Sequence, residues 1–365
     1  MKLECEMERI KNGILQAERI TGKNLTLPVL SSILFIASGK SLKLRATNLS
    51  LGIEIEIPAK IEKEGTVAVS GSVLSGIFSN VYQNESVLLE GVEGNLLIKT
   101  KKSKIKLKGQ PQDDFPTIPM VSAETFDMEA KKLLEGIKSV YYSASPSDIK
   151  PEISSVYVYS NTDSLVFVST DSFRLAEKKI KIKGLKEIPG ILIPFKNIPE
   201  IMRVFGELDG EITVKFNKNQ ISFSSKNIYL TSRVIDGVFP DYRQIIPKEW
   251  KTEAVLLKQD LLNALKLSNI FSDKFNQVNM TINPKEKIFE LSSQNNDIGE
   301  NKTHVDGALS GVVAELSFNY RYFLDCFASL TTDSVSIKLN EGSKPIVISP
   351  VSDSSFTYLI MPMNR

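Results

Sequence analysis

The sequence has few residues of the types that build disulfides and metal sites. Its 365 residues include two cysteines, Cys5 and Cys326, which lie at opposite ends of the chain without a CxxC spacing. The single histidine, His304, has no second histidine with which to share a metal ion. We therefore expect no disulfide, no metal and no cofactor.

The chain also lacks long apolar segments and the signature motifs of common enzymes. Its longest apolar runs fall far short of the roughly 20 residues that a membrane helix needs, and the first six residues contain no apolar signal core. It has no GxxxxGK(S/T), GxSxG or HExxH motif, and its acidic residues are scattered rather than paired for two-metal catalysis. These absences predict a cytoplasmic protein without a membrane partner, and they oppose a nuclease or other enzyme.

A strong charge of one sign is absent as well. The formal net charge is +2, from 45 Lys+Arg against 43 Asp+Glu, which is too small for a protein that holds nucleic acid by phosphate neutralisation alone. The hydrophobic content of 42% is sufficient for real cores, and the length fits two or three domains. Composition alone therefore leaves a protein-interaction scaffold open.

What the chain does have is an internal repeat. Asn48, Asp171 and Gln294 each follow a segment such as 165–168, whose alternating apolar pattern predicts a strand that enters a turn. Residue 171 follows residue 48 by 123 positions, and residue 294 follows residue 171 by the same 123. Three such segments at one spacing predict three copies of one structural unit.

Each third also contains two segments with the apolar spacing of amphipathic helices. The first helices are marked by Ile10, Ile14 and Ala17, by Leu133, Ile137, Val140 and Tyr141, and by Leu261 and Leu265. The second helices are predicted at 72–82, with Val73, Ile77 and Val81, at 196–205, with Ile198, Ile201, Met202 and Phe205, and at 319–330, with Tyr322, Phe323, Phe327 and Leu330. We predict an α+β fold of three modules, 1–121, 122–248 and 249–365, each with two helices packed on antiparallel sheets.

The first helices of the three modules carry basic residues at comparable positions. They are Lys11 and Arg19, then Lys131, Lys132 and Lys138, then Lys258 and Lys266. A solvated surface explains most charged helix faces. If the modules form an arc with these helices inward, a basic stripe lines the inside, and a nearly neutral chain can then surround a polyanion. The spacing leaves both interpretations open.

Five short motifs resemble those of the bacterial DNA polymerase III beta subunit, the sliding clamp family. Residues 170–176 resemble the family's TDGHRLA segment, 239–243 its FPDYR, 361–363 its MPM, 27–30 its LPIL and 114–116 its DFP. The resemblance extends over essentially the whole chain and its three-module order. It implies a homodimeric ring of six clamp-type modules that encircles double-stranded DNA without sequence preference. Such a ring tethers the replicative DNA polymerase, and it is served by a clamp loader and used by repair polymerases and other proteins with clamp-binding motifs.

The resemblance also implies a surface pocket for short linear peptides of those partners. Carried over by position, the pocket comprises Ile153, Thr170, Ser172, Phe173, Arg174, Leu175, Pro240, Gln244, Ile245, Leu359, Ile360, Met361, Pro362 and Met363. Thioether and aliphatic side chains form an adaptable apolar surface, and Arg174 can supply a polar edge. The alternative explanation of Leu175, Leu359 and Ile360 is that they are core residues.

Three departures from the family pattern affect these expectations. Ser172 and Phe173 replace the usual Gly-His of the pocket turn, which puts the backbone freedom of that turn in doubt. Gln244 replaces an arginine that is common after FPDYR, and Pro151-Glu152 replaces a tyrosine pair that precedes the pocket. The DNA contacts that we expect are Lys23, Lys150, Lys196 and Arg203.

Subunit contacts in this family run head to tail, from the first module of one chain to the third module of the next. The corresponding strand here is 102–107, where alternation places Ile105 and Leu107 on one face with lysines beside them. The expected counterpart is the helix end at Ile270 and Phe271. The lysines also suit protection of an exposed edge strand against aggregation.

Overall fold

The computed structural model describes residues 1–22, 27–81, 86–122, 124–342 and 344–363. Lys23, one of the expected DNA contacts, therefore lies outside the described residues, as does Tyr82 at the end of the second predicted helix. The chain forms two compact units, one of Met1–Lys131 with Pro199–Val234 and the other of Lys132–Ile198 with Ile235–Arg365. Residues 122–248 contribute to both units, and the division into three modules stays a prediction.

The described residues form six α-helices, two in each third of the chain as predicted. They are α1 (Met7–Ile20), α2 (Gly71–Asn80), α3 (Ala130–Val140), α4 (Ile198–Val204), α5 (Lys258–Ile270) and α6 (Tyr320–Cys326). In α1, Ile10, Ile14 and Ala17 are fully buried, which confirms the predicted apolar face. Among these helices none is long and apolar enough to cross a membrane.

Helix α2 differs from the prediction in the face that it buries. Its core residues are Leu74 and Phe78, both fully buried, whereas Val73 is 48% exposed and Ile77 is only half-buried. The helix has apolar residues on two faces, so spacing alone could not tell which face packs inward.

Twenty-six strands are seen in the described residues. The first seventeen are β1 (Lys2–Glu6), β2 (Ser32–Ser38), β3 (Ser41–Thr47), β4 (Leu51–Lys63), β5 (Gly65–Ser70), β6 (Ser86–Val92), β7 (Asn95–Lys99), β8 (Lys104–Leu107), β9 (Gly109–Gln110), β10 (Glu124–Glu129), β11 (Ser155–Asn161), β12 (Ser164–Thr170), β13 (Arg174–Lys181), β14 (Ile191–Pro194), β15 (Glu211–Phe216), β16 (Gln220–Ser224) and β17 (Ile228–Arg233). The others are β18 (Thr252–Leu257), β19 (Gln277–Asn283), β20 (Ile288–Asn295), β21 (Gly299–His304), β22 (Gly307–Gly311), β23 (Ala314–Asn319), β24 (Ser334–Leu339), β25 (Ile346–Pro350) and β26 (Phe356–Ile360).

The first unit contains one sheet of 13 strands, with the path β10-β15-β16-β17-β4-β1-β6-β7-β8 and with β2, β3, β5 and β9 beside it. Strands β17 and β4 pair antiparallel with Leu230 opposite Ile53, so strands from the first two thirds of the chain share one sheet. The segment that joins these thirds is fastened by Tyr229, whose hydroxyl donates to the Pro119 carbonyl at 2.9 Å and accepts from the Val121 N–H at 2.9 Å.

The second unit contains a nine-stranded sheet and a four-stranded sheet. The larger has the order β14-β11-β12-β13-β26-β25-β24-β18-β22, and the smaller has the order β21-β20-β19-β23. Strands β13 and β26 pair antiparallel with Leu175 opposite Leu359, so strands from the second and third thirds also share a sheet. The predicted mixture of helices and antiparallel sheets is confirmed.

The three predicted turns lie where strands end, and two of them are alike at the level of single hydrogen bonds. Asn48 Oδ1 accepts from the N–H groups of Ser50 and Leu51 at 3.0 and 2.8 Å. Asp171 Oδ1 likewise accepts from Phe173 and Arg174 at 2.9 and 3.0 Å. Asn and Asp are common in turns because their side chains accept hydrogen bonds from backbone N–H groups in this way.

The third turn lies one residue later in the chain than the spacing of 123 predicted. Its turn-forming side chain is Asn295, the last residue of strand β20, whose Oδ1 accepts from the Asp297 N–H at 3.0 Å; Gln294 precedes it in the strand. The structural repeat is therefore one residue longer here than the first. The longer glutamine side chain does not suit this local hydrogen bond, and a neighbouring asparagine provides it.

Candidate functional site

The turn between β12 and β13 carries the residues predicted to line a peptide pocket. Ser172 has φ 78°, the left-handed region that favours glycine, and its N–H donates to Thr170 Oγ1 at 3.2 Å. Thr170 Oγ1 in turn donates to the Arg174 carbonyl at 2.7 Å. The turn therefore forms although serine replaces the family's glycine, at a cost of roughly 1 kcal/mol for an L-residue in this region.

The end of β26 lies beside this turn. The Met361 N–H donates to the Phe173 carbonyl at 2.8 Å, which brings the MPM motif next to the turn residue. The Phe173 side chain is 60% exposed, and Met361, Pro362 and Met363 are half-buried. The two segments, far apart in sequence, thus form one apolar rim.

Arg174 is turned towards the protein interior, with only 12% of its side chain exposed. Its Nε donates to Asp171 Oδ2 at 2.9 Å, its Nη2 to the Tyr142 carbonyl at 2.7 Å and its Nη1 to Asp325 Oδ2. The guanidinium also lies 4.7 Å from the ring centroid of Tyr322. Burial lowers the pKa of Arg174, but Tyr358, Asp325 and Asp171 outweigh burial and raise it, so the side chain stays charged.

The FPDYR segment is anchored by a buried polar network. Tyr242 donates to Glu177 Oε2 at 2.5 Å and lies 2.7 Å from the Tyr159 hydroxyl. Arg243 Nη2 donates to the same Tyr159 hydroxyl at 2.7 Å. Burial, and then the negative charge of Glu177, raise the pKa of Tyr242 well above its usual range. The network fixes the loop that follows residue 239 to strand β13.

A groove of about 970 Å³ opens beside this loop. It brings together three of the predicted pocket residues, Gln244, Ile245 and Met361, with residues that we did not predict, among them Arg243 and Lys344. Gln244 Nε2 donates to Asp241 Oδ2 at 2.7 Å, so its amide is held at the groove wall. Beneath lies an apolar core that includes Leu175, Leu359, Phe239 and Tyr242.

The predicted pocket residues differ in what they can offer to a ligand. Ser172, Phe173, Pro240, Gln244 and Ile245 are exposed, and Arg174, Met361, Pro362 and Met363 are partly buried. Ile153, Thr170, Leu175, Leu359 and Ile360 are buried. The side chains of this last group support the rim from below. The sequence predicted that Tyr322 lies on a helix, but it did not predict that Tyr322 and Asp325 contact Arg174. Arg174 and Asp325 are 151 positions apart, and no local sequence pattern indicates a contact over that distance.

Two of the expected DNA contacts are brought together by one backbone segment. The Ser154 N–H donates to the Lys150 carbonyl at 3.1 Å, and the Ser154 carbonyl accepts from the Phe195 N–H, next to Lys196, at 3.0 Å. Lys150 and Lys196 are both exposed, and Lys196 Nζ lies 3.9 Å from Asp148 Oδ2. Arg203 forms a pair with Glu200 at 2.7 Å on α4.

The predicted basic positions on the first helices are not equivalent. Lys258 Nζ donates to the Leu330 carbonyl at 2.6 Å, and Lys131 pairs with Asp209 at 2.7 Å. Arg19, Lys138 and Lys266 are exposed. Lys258 therefore serves an internal contact, which helical spacing could not reveal.

The expected subunit contacts lie at an exposed strand edge and at a helix end. Strand β8 ends the path of the large sheet and pairs with β7, with Ile105 and Leu107 half-buried and the intervening lysines exposed. Ile270 is the last residue of α5 and is 57% exposed. Leu267, Phe275 and Ile298, which the sequence analysis did not single out, are exposed apolar residues as well.

The cysteines and acidic residues show no metal-binding arrangement in the part of the chain that the structure describes. Cys5 and Cys326 are both buried thiols outside any disulfide. Burial, and then the charges of Glu4 and Glu6, raise the pKa of the Cys5 thiol to about 12. A thiol of this kind stays protonated near neutral pH and is a poor nucleophile.

The family models of the three domains of the DNA polymerase III beta subunit match the chain in the order N-terminal, central and C-terminal. The N-terminal domain matches residues 1–119, the central domain 127–241 and the C-terminal domain 243–364. The beta sliding clamp of Synechococcus elongatus is 27% identical over 373 residues, covering 100% of this chain and 99% of that protein.

Solved structures share the fold. The DNA polymerase III subunit beta of Pseudomonas aeruginosa superimposes with a TM-score of 0.95 at 23% identity, covering 100% of both chains. A sliding clamp from the same organism, in a crystal structure with bound griselimycin, gives the same TM-score, identity and coverage. These matches confirm the clamp-type fold, the expected family and the expectation of a processivity factor that is not an enzyme, and they do not favour the scaffold alternative. The chain belongs to the bacterial DNA polymerase III beta subunit family, the sliding clamps that confer processivity on DNA synthesis.

Proposed function

We propose that two copies of this chain close into a ring of six modules, 1–121, 122–248 and 249–365 from each copy, that encircles double-stranded DNA. The ring tethers the replicative polymerase and other proteins with clamp-binding peptides, and a clamp loader places it on DNA. Its place of action is then the cytoplasm, where the bacterial chromosome lies. The observation that carries the proposal is the way in which successive thirds of the chain share their sheets.

Successive thirds of the chain are joined by strand pairing at two places, and the pairing follows the same pattern in both. Strand β17, the last of the second third, pairs with β4, which follows the turn at Asn48. Strand β26, the last of the final third, pairs with β13, which follows the turn at Asp171. In both cases the last strand of one third pairs antiparallel with the strand that follows the Asn48 or Asp171 turn of the preceding third.

Applied once more, this rule predicts the contact between subunits. Strand β21 follows the turn at Asn295, and it pairs with β20. Strand β8 ends the path of the large sheet in the first third and pairs with β7, whereas the two-residue strand β9 that follows it pairs with β5. Each therefore has an edge for a further partner in the described residues, and pairing β8 of one copy with β21 of the other continues the pattern. A heterologous contact of this kind produces a closed ring when its rotation closes.

Side-chain chemistry at the two edges is compatible with that pairing. Strand β8 presents Lys104 and Lys106 to solvent, and β21 presents Glu300, Lys302 and His304. Behind β21, the Phe271 ring approaches within 3.7 Å of the position that a Cβ on Gly299 would occupy. The apolar residues Ile105 and Leu107 of one copy would thus meet Ile270 and Phe271 of the other, as expected from the sequence.

We further propose that the groove beside Met361 and Ile245 binds the peptides of partner proteins and also binds griselimycin. The exposed Phe173 and the half-buried Met361 supply an apolar rim over a rigid core, which suits anchoring of apolar peptide side chains. Trp250, the single tryptophan of the chain, follows the groove residues Lys248 and Glu249 directly, so its fluorescence provides a readout of binding.

The way in which DNA is held follows from the small net charge of +2. A protein with about six to ten phosphate contacts would lose roughly three to five decades of affinity between 50 and 200 mM salt. A closed ring escapes this dependence, because it cannot dissociate unless it opens or reaches a DNA end. Exposed residues such as Lys150, Lys196 and Arg203 then need to provide only a weak, sliding attraction.

The test loads the protein onto nicked circular DNA with its clamp loader and ATP, washes in high salt and then cuts the circle once. We expect retention before the cut and release after it. Release by salt from the intact circle would identify an ordinary electrostatic binder, and failure to bind DNA under any condition would favour an interaction scaffold. Nuclease activity with magnesium or manganese, assayed on the same preparation, would contradict the non-enzymatic role.

A further inference from the structure

We propose that Arg174 is a positioning residue that couples the shape of the peptide groove to the packing of helix α6 against the β12–β13 turn. The inference rests on the proposed peptide-binding function of the groove. It replaces the expectation that Arg174 offers a polar edge to a bound peptide. In this arrangement the guanidinium acts through the turn and does not touch the ligand.

The contacts of the guanidinium leave little of it for a ligand. Each of its three nitrogens donates to a different acceptor, which are Asp171 Oδ2, the Tyr142 carbonyl and Asp325 Oδ2. One face is covered by the ring of Tyr322 at 4.7 Å, and the side chain is 12% exposed. Because the guanidinium fork is planar and rigid, acceptors in three directions fix both its position and its orientation.

Asp171 connects this fork to the backbone of the turn. Its Oδ1 accepts from the N–H groups of Phe173 and Arg174, and its Oδ2 accepts from Arg174 Nε. One carboxylate therefore holds the turn with one oxygen and the guanidinium with the other. Movement of the guanidinium would be transmitted to the Phe173 backbone.

The Phe173 backbone is in turn the support of the groove rim. Its carbonyl accepts from the Met361 N–H at 2.8 Å, and Arg174 lies opposite Ile360 in the strand pair next to it. Met361 is a lining residue of the groove. A path of hydrogen bonds thus leads from Asp325 through Arg174, Asp171 and Phe173 to Met361.

The other end of this path is anchored in α6. Asp325 and Tyr322 lie on that helix, and the helix start is capped by Asn319, whose Oδ1 accepts from the Arg321 N–H at 3.0 Å. The Tyr358 hydroxyl donates to the Tyr322 carbonyl at 2.8 Å, so strand β26 holds the helix from a second direction. The groove rim and the helix are therefore fastened to the same strand and to the same arginine.

The positioning role and a direct ligand contact predict opposite results for Asp325→Asn. If Arg174 positions the turn, loss of the Asp325 carboxylate loosens the rim, and griselimycin affinity measured by calorimetry or Trp250 fluorescence falls about tenfold. If Arg174 contacts the ligand directly, loss of its internal partner leaves the affinity unchanged or raises it. Either of those outcomes would overturn the proposal.

A double-mutant cycle and a matched control sharpen the test. Arg174→Lys keeps the positive charge but loses the planar guanidinium, so we expect it to lower griselimycin affinity about as much as Asp325→Asn does. The double variant should lose little more affinity than either single variant, because both substitutions interrupt the same path of hydrogen bonds. Glu253→Gln, which removes a carboxylate from β18 outside the groove lining, should leave the affinity within twofold of the wild type. Independent, additive losses in the double variant would contradict a shared path.

A second measurement needs no ligand, which separates this proposal from the proposed function. Hydrogen exchange of the Phe173, Arg174 and Met361 amides should be about tenfold faster in Asp325→Asn than in the wild type, with the Glu253→Gln variant unchanged. If wild-type protein does not bind griselimycin, the groove function fails, yet the exchange data still decide the positioning role. Unchanged exchange at all three amides in Asp325→Asn would overturn it.

Discussion

The Met361 N–H donates a 2.8 Å hydrogen bond to the carbonyl of Phe173, and this single bond joins the C-terminal segment to the turn after β12. Phe173 is 60% exposed, and Met361 is half-buried and lines the groove. Both side chains therefore stand at the same rim although the sequence separates them widely. Binding energy at such a rim is expected to depend on a few anchors.

Truncation of the methionine tests this rim. We expect Met361→Ala to weaken griselimycin and partner-peptide binding by roughly thirtyfold, about 2 kcal/mol, because a central apolar anchor is lost. Met363→Ala should weaken binding less, because the Met363 N–H is held by the Ser317 carbonyl at 2.8 Å beyond the groove lining. Isothermal calorimetry measures both changes.

The control for that series is Leu257→Ala, which truncates an apolar residue that is 55% exposed on β18 and outside the groove lining. Its affinity should equal that of the wild type. Unchanged affinity in both methionine variants would remove the groove from consideration as the peptide site.

The positive φ of Ser172 predicts a stabilising substitution. At φ 78° an L-residue is strained, whereas glycine is not. Ser172→Gly should raise the free energy of unfolding by about 0.5–1 kcal/mol. This is the strain energy that glycine relieves in the folded turn, reduced by the stabilisation of the unfolded chain that the greater conformational entropy of glycine provides. Urea denaturation measures the shift in midpoint.

Ser354→Gly provides the comparison, because Ser354 is exposed and is not among the positive-φ residues. There glycine should lower stability by about 0.5 kcal/mol. Equal effects of the two substitutions would mean that the turn at Ser172 carries no strain.

Charges at the end of α5 should break the proposed dimer. Ile270 is 57% exposed in the single chain, so aspartate at 270 costs little folding stability, and aspartates at 270 and 271 together place charge against the apolar edge of the other copy. We expect Ile270→Asp with Phe271→Asp to run as a monomer in analytical ultracentrifugation at micromolar concentration.

Leu257→Asp introduces the same charge at a similarly exposed apolar residue that is 55% exposed and lies at the end of β18. It should remain a dimer. A wild-type protein that sediments as a monomer at micromolar concentration would contradict the ring itself.

The buried thiol of Cys5 predicts a loss of stability at alkaline pH. Its pKa rises to about 12 in the folded chain, so between about pH 9 and 12 the unfolded thiol releases a proton that the folded thiol keeps. The free energy of unfolding should fall in this window by about 1.4 kcal/mol per pH unit for this one thiol.

The measurement is a urea denaturation series at pH 8 to 11 on wild type and Cys5→Ala. Because other groups titrate in the same window, the difference in slope between the two proteins isolates Cys5. The variant should show the shallower decline. Parallel curves would show that the thiol ionises equally in both states.

Local patterns in the sequence predicted those features that depend on neighbouring residues. The period of Ile10, Ile14 and Ala17 predicts one buried helix face, and alternation at Ile105 and Leu107 predicts an edge strand, because side-chain direction follows from backbone geometry within a few residues. The turns at Asn48 and Asp171 are also local, since each side chain accepts from the backbone N–H groups two and three residues further along. The motifs that identify the family are short segments of the same kind.

Only the tertiary structure decided which of these residues face a ligand. Leu175, Leu359 and Ile360 belong to the predicted pocket but are buried, because strands from distant parts of the chain pair there and packing covers their side chains. Lys258 is directed to the Leu330 carbonyl, and Arg174 to Asp325, 151 residues away. A charge whose partner lies so far along the chain leaves no local signal, so the fold alone determines whether it meets solvent, a ligand or the protein interior.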